Sequence, residues 1–335
     1  MKKVYLIFFL LLFVLSTHTG IAQTKEPTRM FRIYEDDDYF NIKGKGTDKA
    51  YSDGTRLDFF YEKKSNPRFF LSRLMPRAGD SSKNMYGWSL VQIMVTPNEI
   101  KIAEYQPHDY PYAGALLAIH SLHSYNPEKK YSFQTEVIVG VRGPASLAGS
   151  VQKAVHSLIH YQKPMGWDNQ LRTMPLVNIN FGAEKQFLSI NNFIEVNGGV
   201  QAVVGSLADA LIIYPMIRIG RMSPYFDGYL NQFGSFQRNG KRIKTQYYLV
   251  FKPMTSLVAH NALLKGKRRN EDDDNVDTNG GEPAENLRNV VSNVQLGAVV
   301  AHGNFALSYT QTYSNSYIID LYRHSVGNLT VSVRW

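Results

Sequence analysis

Gln152 and His156 stand four residues apart in the run from Gly143 to Leu171, GPASLAGSVQKAVHSLIHYQKPMGWDNQL. That spacing puts both side chains on one face of a helix, about one turn apart. An imidazole changes charge near neutral pH. Beside an amide, in a chain otherwise rich in strands, it marks the place where chemistry is expected. The same stretch also reads as a surface helix with an incidental histidine. A second group is Glu35-Asp36-Asp37-Asp38, four consecutive acids at the end of the apolar strand Phe31 to Tyr34. From a strand end, carboxylates can converge on a cation. The bland alternative is a solvated loop.

The elements around these groups follow from patterning. Pro144 suits a first helical turn. The helix is predicted from there over the proline-free run Ala145 to Ile159 and on past His160, which continues the Gln152–His156 row. Val151, Val155 and Leu158 form a neighbouring apolar stripe. Lys163-Pro164 is the stop, and Gly166 to Gln170 is a polar turn with one large aromatic. Residues on either side alternate. In Tyr131 to Val141, Tyr131, Phe133, Val137, Val139 and Val141 share one face, while Ser132, Gln134 and Glu136 take the other, the period of a strand. Further strands are expected at Arg56 to Glu62, Tyr86 to Thr96 and Ala115 to Tyr125. Leu176 to Ser189 pairs with Asn192 to Val204 as a hairpin, and Val290 to Val300 pairs with Asn304 to Tyr313. Asp53-Gly54 reads as a turn signal. Pro215 argues against a central strand position for Leu211 to Gly220. Residues 265–288 read as a long polar surface loop. Residues 65–84 read as a basic loop whose Arg68, Arg73, Arg77 and Lys83 meet phosphate or keep the loop soluble.

The N-terminus bounds the compartment. Lys2-Lys3, the apolar run Val4 to Leu15 and the small polar stretch Ser16 to Gln23 have the layout of a signal peptide, so residues 1–23 are expected to be removed. There are 0 cysteines, which excludes thiol catalysis, thiolate zinc sites and disulfide scaffolds. A net charge of +9 favours anionic partners, and export turns that preference toward phosphorylated lipid or polyanionic glycan and away from nucleic acid. Aromatic residues make up 13% of a chain that has no apolar run long enough for a membrane helix after its N-terminus. Such a composition fits an outer-membrane barrel. The final strand alternates Leu329, Val331, Val333 and Trp335 with Thr330, Ser332 and Arg334, and its aromatic end is common in such barrels. The expectation is an all-β chain, one transmembrane antiparallel β-barrel domain over residues 24–335, with a short helix carrying His156.

Four blocks in order give the chain a family resemblance: Glu35-Asp36-Asp37; Asp48-Lys49-Ala50-Tyr51-Ser52-Asp53-Gly54; Thr96 to Ile100 with Pro111-Tyr112-Ala113-Gly114; and Gly143-Pro144 through Gln152 and His156 to Leu171. Together they resemble the lipid A 3′-O-deacylases, calcium-dependent outer-membrane barrels. The resemblance implies a monomeric barrel of about twelve strands in the cell outer membrane. Its active site would lie between barrel and membrane, and it would hydrolyse an ester-linked acyl chain of lipopolysaccharide. It further implies that His156 is the general base activating water, that Gln152 orients the imidazole or a water, and that Ser52 positions water or substrate. Asp36 stands with this catalytic group, in the place of the family's Asn. Asp37 is implied as a Ca2+ ligand, with Asp48 a further acid for the same ion. Gln162 stands where the deacylases carry Glu. Two other readings are a non-catalytic outer-membrane barrel, a pore or lipid-binding protein, and a soluble periplasmic β-protein.

Overall fold

The computed structural model describes residues 26–42, 49–63, 67–191, 193–269 and 286–335. The expected signal peptide, Asp48 and the acidic run Glu271 to Asp274 lie outside them. Twelve long strands form a closed antiparallel barrel. They are β1 (Arg29–Asp37), β2 (Ala50–Glu62), β3 (Lys83–Thr96), β4 (Ala113–Asn126), β5 (Tyr131–Arg142), β6 (Met174–Ile190), β7 (Ile194–Gly205), β8 (Ala208–Arg221), β11 (Thr245–Asn261), β12 (Val290–His302), β13 (Phe305–Ser314) and β14 (His324–Arg334). A small hairpin, β9 (Phe236–Arg238) with β10 (Lys241–Ile243), sits between β8 and β11. Strand β14 closes the wall on β1, from Met30↔Arg334 to Asp37↔Gly327.

The period-two pattern sorts side chains by face. Phe31, Leu57, Phe59, Leu249, Phe251 and Leu296 are exposed on the outside, as a lipid-facing wall requires. The lumen is polar and paired. Asp58 accepts from Arg32 at 2.7 Å and from Arg56 at 2.6 Å, and Arg56 also reaches Glu136 at 3.1 Å. Arg218 meets Glu195 at 2.7 Å between the rings of Tyr225 and Tyr248.

Both mouths are filled. At the end shared by the chain's first and last strand residues, Phe226, Tyr229 and Leu230 fold inward against Met30, Phe60, Met85 and Tyr125. At the other end Tyr110, Leu171, Leu263 and Ile318 pack on Ala113, Leu117 and Leu176. Tyr322 donates to Asp109 there at 2.8 Å. Burial pushes the neighbouring Tyr110 phenol up to about 12, so it stays protonated and accepts from the Tyr317 N–H at 3.1 Å.

Pro215 lies within a wall strand, contrary to expectation. The β8–β11 ladder runs from Tyr247↔Arg221 to Phe251↔Ile217 and resumes at Thr255↔Ile213. By that register Pro215 stands opposite Pro253. Neither has an N–H to give, so the wall holds both prolines by omitting one rung. At residues 265–269 the chain is tied to the wall: Arg172 N–H donates to the Lys267 carbonyl at 2.9 Å. The basic 65–84 segment contains a one-turn helix, α1 (Phe70–Leu74).

Candidate active site on the outer wall

The second helix, α2 (Ala148–Ile159), is built differently from the sequence expectation. Pro144 does not open it. Gly143, at φ 84°, turns the chain into a separate 3-10 turn, Pro144–Ser146, and Leu147 at φ 61° starts the helix proper. His160, at φ 59°, ends it, four residues before Pro164. A left-handed residue after the last turn turns the chain away and returns its N–H to the His156 and Ser157 carbonyls.

The helix lies on the outside of β3 and β4. A Cβ on Gly114 would stand 2.2 Å from the Ala148 Cβ and 2.7 Å from Ser146 Oγ, so glycine at 114 sets how closely the helix docks. Gln92 Nε2 adds a hydrogen bond to the Ser146 carbonyl at 2.9 Å. Gly149 lets Trp167 come up to the helix, where a Cβ would be 2.8 Å from the indole Cγ. Trp167 is therefore core, packed with Met94, Tyr112 and Ala148, and does not sit in an exposed polar turn.

This docking inverts the usual amphipathic arrangement. The polar residues turn inward: Gln152 is 4% exposed and His156 6%. The apolar stripe turns outward, with Val155 47% and Leu158 55% exposed. A helix that faced water would do the reverse. An apolar outer face of this kind suits a hydrocarbon surrounding.

The buried pair is held by local bonds. Gln152 Oε1 accepts from Trp167 Nε1 at 2.7 Å. The ring of His156 stands edge-on to Tyr161 at 5.2 Å. Its Nδ1 lies 2.5 Å from the Gln162 carbonyl oxygen. A carbonyl only accepts, so Nδ1 carries a proton, and in the neutral tautomer this leaves the lone pair on Nε2. Gln162 thus acts through its main chain.

The acids sort by strand parity. Asp36 follows Tyr34 on the luminal side and accepts from the Tyr34 and Tyr51 hydroxyls at 3.0 and 3.2 Å. Glu35 and Asp37 continue the outward row of Phe31 and Ile33. Asp53, paired with Asp37, joins them from β2. One carboxylate oxygen from each of Glu35, Asp37 and Asp53 lies within 4.8 Å of the other two. Beyond Asp53 the register runs to Met94 on β3 and then to Gly114 on β4, beneath the helix. The acid group and the Gln152–His156 helix are therefore neighbours on one outer surface, and Asp36 is on the opposite face of the wall. Asp37 also accepts the Tyr39 N–H at 2.7 Å, fixing the strand's exit. Ser52 sits at a β-bulge between Tyr51 and Asp53, a feature that often re-aims side chains beside active sites; its Oγ donates to the Met94 carbonyl at 3.3 Å.

Glu35, read from the sequence only as one of the four consecutive acids, and Asp53, read as part of a turn, join the site. Glu35 was legible in principle, because counting by two from Phe31 and Ile33 lands on it. Asp53 was hidden behind the turn signal of Asp-Gly, although Gly54 lies in a continuous strand, its missing Cβ leaving room for the Tyr51 hydroxyl.

Comparison with known proteins gives the following. The family model described as outer membrane protein LpxR matches residues 6–335. No curated protein matches the chain. Among solved structures, LpxR from Salmonella typhimurium superposes with a TM-score of 0.70 at 17% identity, covering 91% of this chain and 100% of that one. The β domain of the Bordetella autotransporter BrkA (TM-score 0.43, 8% identity, 93% and 99% covered) and the NalP translocator domain of Neisseria meningitidis (0.41, 10%, 100% and 97%) are more distant.

Proposed function

The chain belongs to the LpxR family of outer membrane proteins, and from that premise we propose that it is a lipid A deacylase, a hydrolase of an ester-linked acyl chain of lipopolysaccharide. One observation carries the reading. Three carboxylates and a helix holding a buried histidine share the lipid-facing surface of the barrel. Charge on that face is costly and marks function.

His156 is the base. Its Nε2 takes a proton from water as the water oxygen adds to the ester carbonyl carbon. The imidazolium then returns the proton to the alkoxide that leaves when the acyl–oxygen bond breaks. The Gln162 carbonyl holds the ring in the required tautomer, and Gln152, fastened to Trp167, fixes the helix that presents it. Ser52, buried and bonded to a main-chain carbonyl, suits positioning and not attack. The exposed Val151, Val155 and Leu158 line the approach of the acyl chains.

The carboxylates form an all-oxygen donor set, the kind that Ca2+ takes, so the residues present fit the ion that the resemblance implies. Glu35, Asp37 and Asp53 would hold it, and when bound it supplies polarisation of the ester carbonyl and a counter-charge for the oxyanion. The filled mouths argue against a pore.

The test is mass spectrometry of lipid A from cells expressing the wild type or His156→Ala, with calcium supplied. Loss of an acyl mass with the wild type alone is the expected result. Unchanged lipid A in both, with the barrel verified in the outer membrane, refutes the proposal.

A further inference from the structure

Strands β3 and β4 carry both helices on their outer face, at opposite ends. The α2 helix sits over Met94 and Gly114. The 67–82 segment, with α1, lies over Tyr86, Trp88, His120 and Leu122. Ser72 Oγ and His120 Nε2 are 2.7 Å apart, and His120 Nδ1 donates to the Gly87 carbonyl at 3.0 Å. Met75 packs on Tyr86 and Leu122, and the Ala78 N–H donates to Ser124 Oγ at 2.8 Å. Five residues of helix are too few to hold themselves, so this segment is held by the wall.

What the docked segment shows outward is both apolar and cationic. Phe70 is 62% and Leu74 75% exposed, and Phe69 packs against Trp88 with ring centroids 5.4 Å apart. Arg68, Arg73 and Arg77 are exposed beside them. Arg73 donates to the Pro67 carbonyl at 2.9 Å and Arg77 to the Tyr86 hydroxyl at 3.2 Å, neutral acceptors that aim the side chains without cancelling their charge. Among the described residues none of the three is in an ion pair. From Lys63 to Gly79 the sequence holds five basic residues and no acid.

Outer-membrane barrels turn their short connections toward the periplasm. At the end that α1 shares, the connections 127–130 and 303–304 are short and the first and last strand residues, Arg29 and Arg334, lie there too, although 222–244 is long; the opposite end carries the long 97–112 and 143–173 connections beside the tight turn 206–207. The segment therefore meets the inner, glycerophospholipid leaflet, not the leaflet that α2 meets. We infer that residues 67–77 form a binding site for an anionic glycerophospholipid, its phosphate held by Arg68, Arg73 and Arg77 and its chains lying on Phe69, Phe70, Leu74 and Trp88. The apolar rows of the wall continue into the patch, and the arginines stand where headgroup phosphates lie. The inference does not rest on the deacylase reading.

Trp88 reports on the site. In a barrel with Trp167→Phe and Trp335→Phe, quenching of Trp88 is compared for brominated phosphatidylglycerol and brominated phosphatidylcholine. The anionic lipid is expected to win by about five-fold or more, the weight of one surface arginine. That preference is expected to vanish in Arg68→Gln/Arg73→Gln/Arg77→Gln. Equal quenching by the two lipids, or a preference that survives the glutamines, overturns the inference. Heat-modifiable mobility verifies a closed barrel for each variant. Should the tryptophan background not fold, phospholipids co-purified with wild-type and triple-glutamine barrels are compared by mass spectrometry; an equal share of anionic lipid on both is again fatal.

Discussion

Gly114→Ala isolates the docking of the helix from the chemistry of its residues. The new methyl carbon would stand 2.2 Å from the Ala148 Cβ. Carbon atoms pack best at about 3.5–4.0 Å, so the start of α2 has to retreat from the wall by roughly 1.3 Å or more. Gly114 is fixed in a strand paired on both sides, which leaves the helix as the part that moves. A misplacement of about 1 Å between reacting groups costs on the order of 100-fold in rate. The overpacking itself costs about 1–3 kcal/mol, too little to open a twelve-strand barrel. The expected outcome is a deacylation rate about 100-fold below wild type, measured on purified protein in micelles with lipid A as substrate, with unchanged heat-modifiable mobility. Gly182→Ala is the control, because its Cβ would meet nothing closer than 3.8 Å. A Gly114→Ala rate within about three-fold of Gly182→Ala would refute the claim that close approach of α2 to the wall sets the active geometry.

Trp167→Phe keeps the ring but leaves the buried Gln152 carbonyl without its donor, a loss of about 1–3 kcal/mol; limited proteolysis between residues 143 and 173 should accelerate while the barrel stays intact. Asp53→Asn removes one of three convergent carboxylates and is expected to weaken Ca2+ by about ten-fold, read by terbium luminescence as well as by the calcium needed for activity; an unchanged terbium midpoint would remove Asp53 from the site. Gln162→Ala retains the carbonyl that orients His156 and should keep the rate within about two-fold, whereas a large loss would show that the side chain contributes.

The barrel was legible because its wall obeys a period of two. The Tyr131 to Val141 alternation became β5, and the pattern ending at Trp335 became β14, which closes the wall on β1. The pair Gln152 and His156 was legible from helical spacing, but the direction in which it points was not. In water the Val151–Val155–Leu158 stripe would be the buried side, and only the surrounding membrane reverses that preference. The helix stop was misplaced for a local reason. Proline is the strong sequence signal, yet a single left-handed residue, His160, ends the helix first, and histidine in that conformation leaves little trace in a sequence. Acid parity was available at Glu35 and obscured at Asp53. The strand role of Pro215 was not readable from its own neighbourhood, since what accommodates it is a second proline, Pro253, on a strand more than thirty residues away.

That missing rung lies on a seam of the wall. Eight strands precede the inward-folded segment and four follow it, so the single closed wall has two seams where early and late strands meet. The seam between β1 and β14 is stitched without a break from Met30 to Asp37. The seam between β8 and β11 lacks two donors at its middle, where Pro215 stands opposite Pro253. Along that line the wall is closed by the pairs on either side of the two prolines, from Tyr247↔Arg221 to Phe251↔Ile217 and from Thr255↔Ile213 onward.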